Sequence, residues 1–253
     1  MSHPLDLAFE ASQRDAFWLP SWATLVDEEG LCFWHSQRPE PMLNTGVCLR
    51  GPQRRAKLQR ARARMGPSSQ WNLAEPSLEQ GVEADLGAFG WTPGPTYTLR
   101  ILNTSTPLST SEVTVAPVSD RRSLLDAISV ADQAFGRGLQ PVPEDRIQQE
   151  LRACTGDLAR VHRFVGYLDG EPVSYGGLNS YPQLKVGFLW AGSTLEHARG
   201  RGAYRAVLAA RLHRARALGL EIVGLYAKHD TSDPIVAAMG FRPLGQMQQF
   251  LAD

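Results

Sequence analysis

The sequence reads Arg199-Gly200-Arg201-Gly202-Ala203-Tyr204 between a predicted strand and a predicted amphipathic helix. Two glycines let the backbone turn tightly and bring successive amides to bear on one point. The helix that follows adds its unpaired N-terminal amides and the positive end of its dipole. Together these groups form a site for a pyrophosphate, and the side chains of Arg199, Arg201 and Arg205 can add charge-assisted hydrogen bonds.

The loop has two other possible interpretations. A dinucleotide-binding GxGxxG motif requires a third glycine where this chain has Arg205, and the preceding strand is not the first strand of a βαβ unit. The chemistry of that motif is therefore excluded. A loop that merely turns the chain is the other alternative, and the loop alone does not decide against it.

The elements around the loop predict a mixed α/β (α+β) sheet flanked by helices. Asp169-Gly170 is a hairpin signal between two of the predicted strands. The apolar positions of the helix after the loop recur every 3.6 residues, and Gly219 ends that helix. Strands are predicted at 113–118, 161–168, 171–178, 185–194, 220–227 and 244–251, and helices at 120–135, 143–153, 203–218 and 233–239.

From Val113 to its C-terminus the chain resembles the GNAT acyltransferase superfamily. Arg199 and Gly202 take the first and fourth places of that family's acyl-CoA motif, Arg/Gln-x-x-Gly-x-Gly/Ala. The strand Trp190–Thr194 precedes the motif where the family has its splayed fourth strand, and the segment 232–241 resembles the late helix that ends in Gly-Phe. The order of strands and helices also agrees.

The resemblance implies an N-acyltransferase that moves an acetyl group from acetyl-CoA to a primary amine by direct attack in a ternary complex. Its cofactor-binding residues would be Gly192, Ser193, Thr194, Arg199, Gly200, Arg201, Gly202, Ala203, Tyr204, Arg205 and Ser232. The pantetheine arm would pair with the main chain of 192–194, and the pyrophosphate would lie on the amides of 201–205. No metal is implied. A non-catalytic acyl-CoA-binding or sensor module is the alternative.

Two residues depart from the family pattern. Tyr204 stands where the motif has Gly or Ala, and either points away from the loop or enters it. Val236 stands where the family commonly has the Tyr that protonates the thiolate. Catalytic candidates are therefore Glu196, His229 and Tyr204, with His197 as a further base and a water relay as an alternative.

Several other side chains of the C-terminal half can have a purely structural role. Trp190, Tyr175 and Tyr181 line an acceptor pocket or belong to the core of the sheet. The arginines at 211, 214 and 216 are expected on the wet face of their helix.

The N-terminal half repeats part of the same order. Leu58–Gly66 resembles Leu212–Gly219, and Ala88-Phe-Gly-Trp-Thr-Pro93 resembles Ala238-Met-Gly-Phe-Arg-Pro243. Two echoes in order predict tandem GNAT-like domains. We expect a degenerate domain without a CoA site at 1–102, a Ser/Thr-rich linker at 103–112, and the catalytic domain at 113–253.

The composition limits the class of protein. Lys and Arg number 26 against 26 Asp and Glu, so nucleic acid is not an expected partner. Three widely spaced cysteines argue against a disulfide framework and a structural zinc. The N-terminus lacks an apolar h-region, and no run of the chain approaches the ~18 apolar residues that span a bilayer, so we expect no signal peptide, no membrane contact and a cytoplasmic protein. The expected partner is a small-molecule or peptide amine, bound by a monomer or homodimer.

Overall fold

A computed structural model describes residues 4–108, 112–139, 141–156 and 159–252. The chain divides into two compact units. Unit 1 comprises Met1–Ile101 and Tyr226–Asp253, and unit 2 comprises Leu102–Leu225. Both units combine a mixed sheet with helices, so the predicted fold class is confirmed.

Unit 1 begins with a helix and continues with strands. Its elements are α1 (Pro4–Arg14), β1 (Thr24–Glu28), β2 (Leu31–His35), β3 (Thr45–Leu49), α2 (Arg54–Met65), β4 (Ser69–Ala74), α3 (Val82–Ala88) and β5 (Thr92–Asn103), and, from the end of the chain, α7 (Ser232–Ala237) and β11 (Arg242–Ala252). The strand order is β1-β2-β3-β4-β11-β5. Only β3 and β4 are parallel among these neighbours in the described chain.

The core of unit 1 lies under its central strands. Buried and half-buried residues alternate along β4, which puts Trp71 and Leu73 on one face of the sheet. Trp71 meets Trp91 edge to face with ring centroids 6.0 Å apart. A Cβ on Gly46 would lie 2.1 Å from the Trp71 ring, so only glycine leaves room for this indole.

Unit 2 places a predominantly antiparallel sheet between helices. Its elements are β6 (Thr114–Pro117), α4 (Arg121–Ala134), α5 (Glu144–Cys154), β7 (Val161–Leu168), β8 (Glu171–Tyr181), β9 (Val186–Thr194), α6 (Ala203–Ala217) and β10 (Ile222–Lys228), of which the last three residues belong to unit 1. The order is β10-β9-β8-β7-β6, with β9 and β10 parallel.

Local signals in the sequence account for the ends of these elements. Asp169 and Gly170 have φ of 51° and 83° and form the predicted hairpin between β7 and β8. Asp120 and Ser123 cap α4 reciprocally, the Ser123 amide donating to the Asp120 carboxylate at 2.8 Å. β8 runs three residues beyond its predicted end because its last residues continue to pair with β7 and β9.

The observed division of the chain differs from the predicted one at the C-terminus. Unit 2 begins at Leu102, next to the predicted linker 103–112, of which residues 109–111 lie outside the described chain. Residues 226–253, however, were expected in one domain with 113–225 and lie in unit 1. The physical reason is strand pairing, because β11 inserts antiparallel between β4 and β5.

The similar segments 88–93 and 238–243 form turns with the same hydrogen-bond pattern. After α3 the amide of Trp91 donates to the carbonyl of Leu86 at 3.1 Å, and after α7 the amide of Phe241 donates to the carbonyl of Val236 at 3.2 Å. The glycine before each aromatic residue is left-handed, with φ of 88° and 92°. Each turn then leads into a strand with the aromatic side chain buried.

Candidate functional site

The loop between β9 and α6 contains two left-handed glycines. Gly200 has φ of 77° and Gly202 has φ of 80°, and α6 begins at the next residue, Ala203. L-residues reach this region only at a cost of about 1–2 kcal/mol, so glycine is the expected residue at both positions. The alternation of left-handed residues points the intervening amides toward one side of the loop.

Gly200 and Arg201 lie in an exposed part of the loop. No hydrogen bond among the described residues engages the amides of Gly200, Arg201 or Ala203. A Cβ on Gly200 would meet nothing within 4 Å. The guanidinium of Arg201 stands 3.8 Å from the carboxylate of Asp169, and both groups are largely exposed, which makes this a weak ion pair. The Arg201–Asp169 pair is therefore only a weak obstacle to an anion at this point of the loop.

The strand that leads to the loop carries a β-bulge. Gly177 pairs with Trp190 and Tyr175 pairs with Ser193, so Gly176 opposes two residues, Ala191 and Gly192. Ala191 adopts φ of 49°, which is unusual for a residue with a side chain. The bulge re-aims the main chain of β9 just before it reaches the loop.

β9 and β10 pair over a short distance only. Their parallel ladder joins Val186–Phe188 to Ile222–Gly224, whereas β9 continues to Thr194. The main chain of Gly192, Ser193 and Thr194 therefore has no ladder partner in β10. Hydrogen-bonding groups on such an edge are available to an extended ligand.

Tyr204 points toward β9. A Cβ on Gly192 would lie 2.8 Å from the Cε2 atom of the Tyr204 ring and 3.3 Å from its hydroxyl. The Tyr204 ring therefore lies against the strand that leads to the loop. The phenol fills the space that glycine leaves over the strand.

The other candidate residues are distributed over both units. Glu196 and His197 are exposed in a single 3₁₀ turn, Glu196–Ala198, close in sequence to the loop in unit 2. His229 is exposed in a turn of unit 1, where its amide donates to the Thr96 carbonyl at 3.3 Å. The Ser232 hydroxyl, also in unit 1, accepts a hydrogen bond from the Lys228 amide at 2.8 Å.

The aromatic candidates divide between core and partly open positions. Tyr175 and Tyr181 are buried, and burial raises the pKa of Tyr175 to about 12. Trp190 is half-buried, packs edge to face on Tyr175, and donates its indole N–H to Asn179 at 2.9 Å. Arg163 lies 5.3 Å from the centre of the Trp190 ring. Of the three aromatic residues, only Trp190 retains an exposed edge.

The expectation that Arg211 lies on the wet face of its helix is wrong. Only 1% of this residue is exposed, because α6 turns it toward the sheet on the same face as Leu208, Leu212 and Ala215. A signal for this position exists in the sequence, since Arg211 falls on the 3.6-residue apolar stripe of the helix. Two glycines of the facing strands, Gly176 and Gly192, supply the room it needs.

His162 is a buried residue that sequence reasoning missed. Its ring lies between the Ser180 hydroxyl and the Arg214 guanidinium, at 3.4 Å from each. Burial, followed by the nearby arginine, lowers the pKa of His162 to about 4. The imidazole is therefore neutral at physiological pH and accepts from Arg214.

Unit 1 contains a second loop of the same backbone shape. Gly51 and Gln53 have φ of 69° and 62°, and α2 begins at the next residue, Arg54. Pro52 lies between them and has no amide to offer. The Glu79 carboxylate accepts from the Gly51 amide at 3.3 Å and from the Arg54 guanidinium at 2.8 Å. An internal carboxylate thus lies at the start of this helix.

A cavity of about 160 Å³ lies beside β3 and β4 of unit 1. It begins where the parallel ladder ends, one residue past the pairs Thr45–Gln70 and Gly46–Trp71. Its walls include Val47, Asn72 and, from α1, Glu10, which is paired with Arg50 at 2.7 Å. The charged groups at its mouth therefore already have internal partners.

The described residues contain no cluster of three or more His, Cys, Asp or Glu side chains arranged to hold a metal ion. Over the same ranges, no helix combines the length and apolar character needed to cross a membrane.

Comparisons with known proteins identify the fold. A GCN5-related N-acetyltransferase from Kribbella flavida is 16% identical over 100% of this chain and 96% of its own, with a TM-score of 0.73. A tandem GNAT protein from the clavulanic acid biosynthesis pathway is 15% identical over 92% and 84%, with a TM-score of 0.60. A GCN5-related N-acetyltransferase from Sphaerobacter thermophilus is 15% identical over 90% and 75%, with a TM-score of 0.58.

None of the curated proteins compared with the chain matches it. A family model described as the acetyltransferase (GNAT) family matches residues 124–241, which include most of α4 and all of β9, the Arg199–Tyr204 loop and α6. Residues 124–241 are therefore a GNAT acetyltransferase domain, and this match indicates acetyl transfer as the activity.

Proposed function

We propose that the protein transfers an acetyl group from acetyl-CoA to a primary amine, with both substrates bound together. The observation that carries this proposal is the pair of left-handed glycines, φ 77° and 80°, directly before the 15-residue helix α6. Open amides, the helix dipole and the exposed arginines at 199, 201 and 205 favour a pyrophosphate at this point. The unpaired edge of β9 at 192–194 would hold the pantetheine arm as an added strand would.

The proposed chemistry needs positioning more than strong acids or bases. The amine nitrogen attacks the thioester carbonyl carbon, the carbonyl electron pair moves to oxygen, and its return breaks the C–S bond. The ammonium loses one proton to Glu196, His229 or solvent, and the departing sulfur gains one. Val236 is 1% exposed and apolar, so this position offers no proton to the thiolate.

Charge in the loop provides a direct test of cofactor binding. Gly200→Asp would place a carboxylate where the phosphates would lie, whereas Gly200→Asn has the same shape without charge and tolerates the left-handed region. We expect Asp to weaken acetyl-CoA binding at least ~100-fold and Asn to weaken it far less, because the carboxylate would repel the phosphates at close range. Calorimetry on the folded variants measures this.

A matched control is available at the other end of the same helix. Gly219 has φ of 73°, and a Cβ there would meet nothing within 4 Å, so Gly219→Asp carries comparable strain away from the loop. It should retain the parent affinity. Equal affinity in Gly200→Asp and Gly200→Asn would refute the assignment of the loop.

The alternative function is a non-catalytic acyl-CoA sensor, and buried Val236 is the observation that favours it. Release of free thiol from acetyl-CoA with a panel of primary amines separates the two. A transferase gives amine-dependent release and intersecting initial-rate plots, as a ternary complex requires. Tight binding without amine-dependent thiol release would support the sensor.

The first unit is proposed to be a degenerate copy without a CoA site. The Glu79 carboxylate and Pro52 support this, because one occupies the start of α2 with negative charge and the other removes a donor. One acetyl-CoA per chain in calorimetry is the expected stoichiometry.

A further inference from the structure

Arg211 is a buried cation to which no carboxylate pairs among the described residues. Its Nη1 atom donates to the Gly177 carbonyl at a long 3.4 Å, and its Nε and Nη2 atoms have no hydrogen-bond partner within the described residues. The ring centre of Tyr204 lies 5.9 Å from the guanidinium carbon. Burial lowers the pKa of Arg211, and the charge and hydrogen-bonding capacity of the nearby Tyr204 phenol partly oppose this effect, although the phenol lies outside hydrogen-bond geometry.

Such an arrangement is costly. An unpaired buried charge destabilises a fold by several kcal/mol, and an apolar side chain of similar length would avoid that cost. The sheet positions that face Arg211 are glycines, and the absence of their side chains leaves room for the guanidinium. A Cβ on Gly176 would lie 2.7 Å from the guanidinium carbon, and one on Gly192 would lie 3.4 Å from Nη2. Stability alone therefore does not explain an arginine here.

The place of the charge in the fold indicates a use for it. Gly176 and Gly192 are the residues that face each other across the bulge of β9, next to Ala191. The guanidinium thus lies directly against the α6 side of the bulged main chain. A positive charge in a buried, low-dielectric position acts strongly on neighbouring peptide groups.

We propose that Arg211 is a positioning and electrostatic residue, which fixes the bulge of β9 and makes the potential there positive where the thioester oxygen becomes an oxyanion. This inference rests on the proposed function. When the amine attacks the carbonyl carbon, the C=O electron pair moves to oxygen, and positive potential beneath β9 stabilises that oxygen until the C–S bond breaks. Arg211 touches no reacting atom and transfers no proton.

Replacement of Arg211 separates this role from a structural one. Arg211→Met keeps the length and removes the charge, so we expect a folded protein that binds acetyl-CoA within about threefold of the parent but turns over about 10-fold more slowly, below the 10²–10³ typical of a direct oxyanion donor. Arg211→Lys keeps the charge and should recover part of the rate. Arg216→Met, an exposed arginine of the same helix, should leave both constants unchanged.

A spectroscopic measurement distinguishes polarisation of the thioester carbonyl by Arg211 from a purely structural role of this residue. Acetyl-CoA labelled with ¹³C at the carbonyl, bound without an acceptor amine, should show a C=O stretch at lower frequency than free acetyl-CoA. We expect this shift to shrink in Arg211→Met and to persist in Arg216→Met. An unchanged shift and an unchanged rate in folded Arg211→Met would overturn the proposal.

Gly176→Ala provides a second variant if Arg211→Met does not fold. Its methyl group would push the flexible guanidinium from its position while leaving the arginine present, and the carbonyl shift should fall in the same direction. A parent-like shift in Gly176→Ala would overturn the proposal as well. If the parent itself neither binds acetyl-CoA nor transfers its acetyl group, the proposed function fails, which is a different result from an active parent with parent-like variants.

Discussion

The carboxylate of Glu79 accepts a hydrogen bond from the amide of Gly51, just before α2, in a loop whose left-handed residues are spaced like those of the Arg199–Tyr204 loop. The loop of unit 1 also has two left-handed residues at this spacing, with Gln53 in the position of Gly202. The two loops differ in whether a carboxylate of the chain itself accepts hydrogen bonds from the loop. In unit 1 Glu79 supplies this carboxylate, whereas the amides of Gly200 and Arg201 in unit 2 make no hydrogen bond within the described chain.

Glu79→Gln should destabilise unit 1 modestly and create no second cofactor site. The lost ion pair with Arg54 is partly exposed, which limits the effect to about 0.5–1 kcal/mol, and high salt should reduce it further. Urea unfolding at low and high salt measures this, with exposed Glu83→Gln as the control. Two bound acetyl-CoA molecules per chain would contradict the assignment, because Pro52 still offers no amide.

Asp233 should make the stability of unit 1 depend on acidic pH. Arg100 donates two hydrogen bonds to this carboxylate, at 2.6 and 2.8 Å, and lowers its pKa below the ordinary 3.8. A carboxylate with a lowered folded pKa contributes stability above its unfolded pKa and loses it as pH falls through the folded value.

Asp233→Asn should therefore cost about 1–3 kcal/mol at pH 7, the range of a charge-assisted hydrogen bond, and progressively less below about pH 4. The measurement is urea unfolding at several pH values, with Asp230→Asn in the neighbouring exposed turn as the control. A constant difference between parent and variant from pH 7 to pH 3 would show that the ion pair is not the cause.

Because of His162, the free energy of unfolding should decrease as the pH falls from 6.5 to about 4. The imidazole has an ordinary pKa of 6.5 and a folded pKa of about 4, lowered first by burial and then by Arg214. Because the folded state resists protonation, stability is full above pH 6.5 and falls as the unfolded state takes up the proton, by about 3 kcal/mol at most.

His162→Gln should flatten this part of the pH profile, whereas exposed His213→Gln on α6 should not. Thermal unfolding midpoints from pH 7.5 to 4 make the comparison. A titration of the His162 ring by NMR with a midpoint near 6.5 would refute the account.

The sequence predicted the elements of this fold well because strong local signals set them. Asp169-Gly170 determined one hairpin, and Gly219 with φ of 73° determined the end of α6. The observed β7 has the predicted bounds, and α6 ends one residue before its predicted end. The glycine loop likewise has the conformation that its residue types require.

Features that depend on distant partners were not predictable in the same way. The placement of 226–253 follows from the pairing of β11 with β4 and β5, which no local signal in that segment reveals. Arg211 was assigned to solvent because arginine is seldom buried without a partner. Its burial depends on Gly176 and Gly192, two residues on other strands, and the packing of the Tyr204 ring against β9 depends on the second of these.

Gly192 and Tyr204 should show coupled effects in a double-mutant cycle. A methyl group on Gly192 would come within 2.8 Å of the Tyr204 ring, and a rigid ring cannot move aside as a flexible chain end can. Gly192→Ala should therefore cost about 1–3 kcal/mol through overpacking and weaken acetyl-CoA binding, because β9 must shift at the proposed pantetheine edge.

Tyr204→Ala should relieve most of that cost, so the double variant should be more stable than the sum of the two single changes by at least about 1 kcal/mol. Gly87→Ala, a helical glycine with nothing within 4 Å of its Cβ, is the control for adding a methyl group elsewhere. Unfolding free energies and acetyl-CoA affinities of the four proteins complete the cycle. Additive effects would mean that the Tyr204 ring does not pack on Gly192.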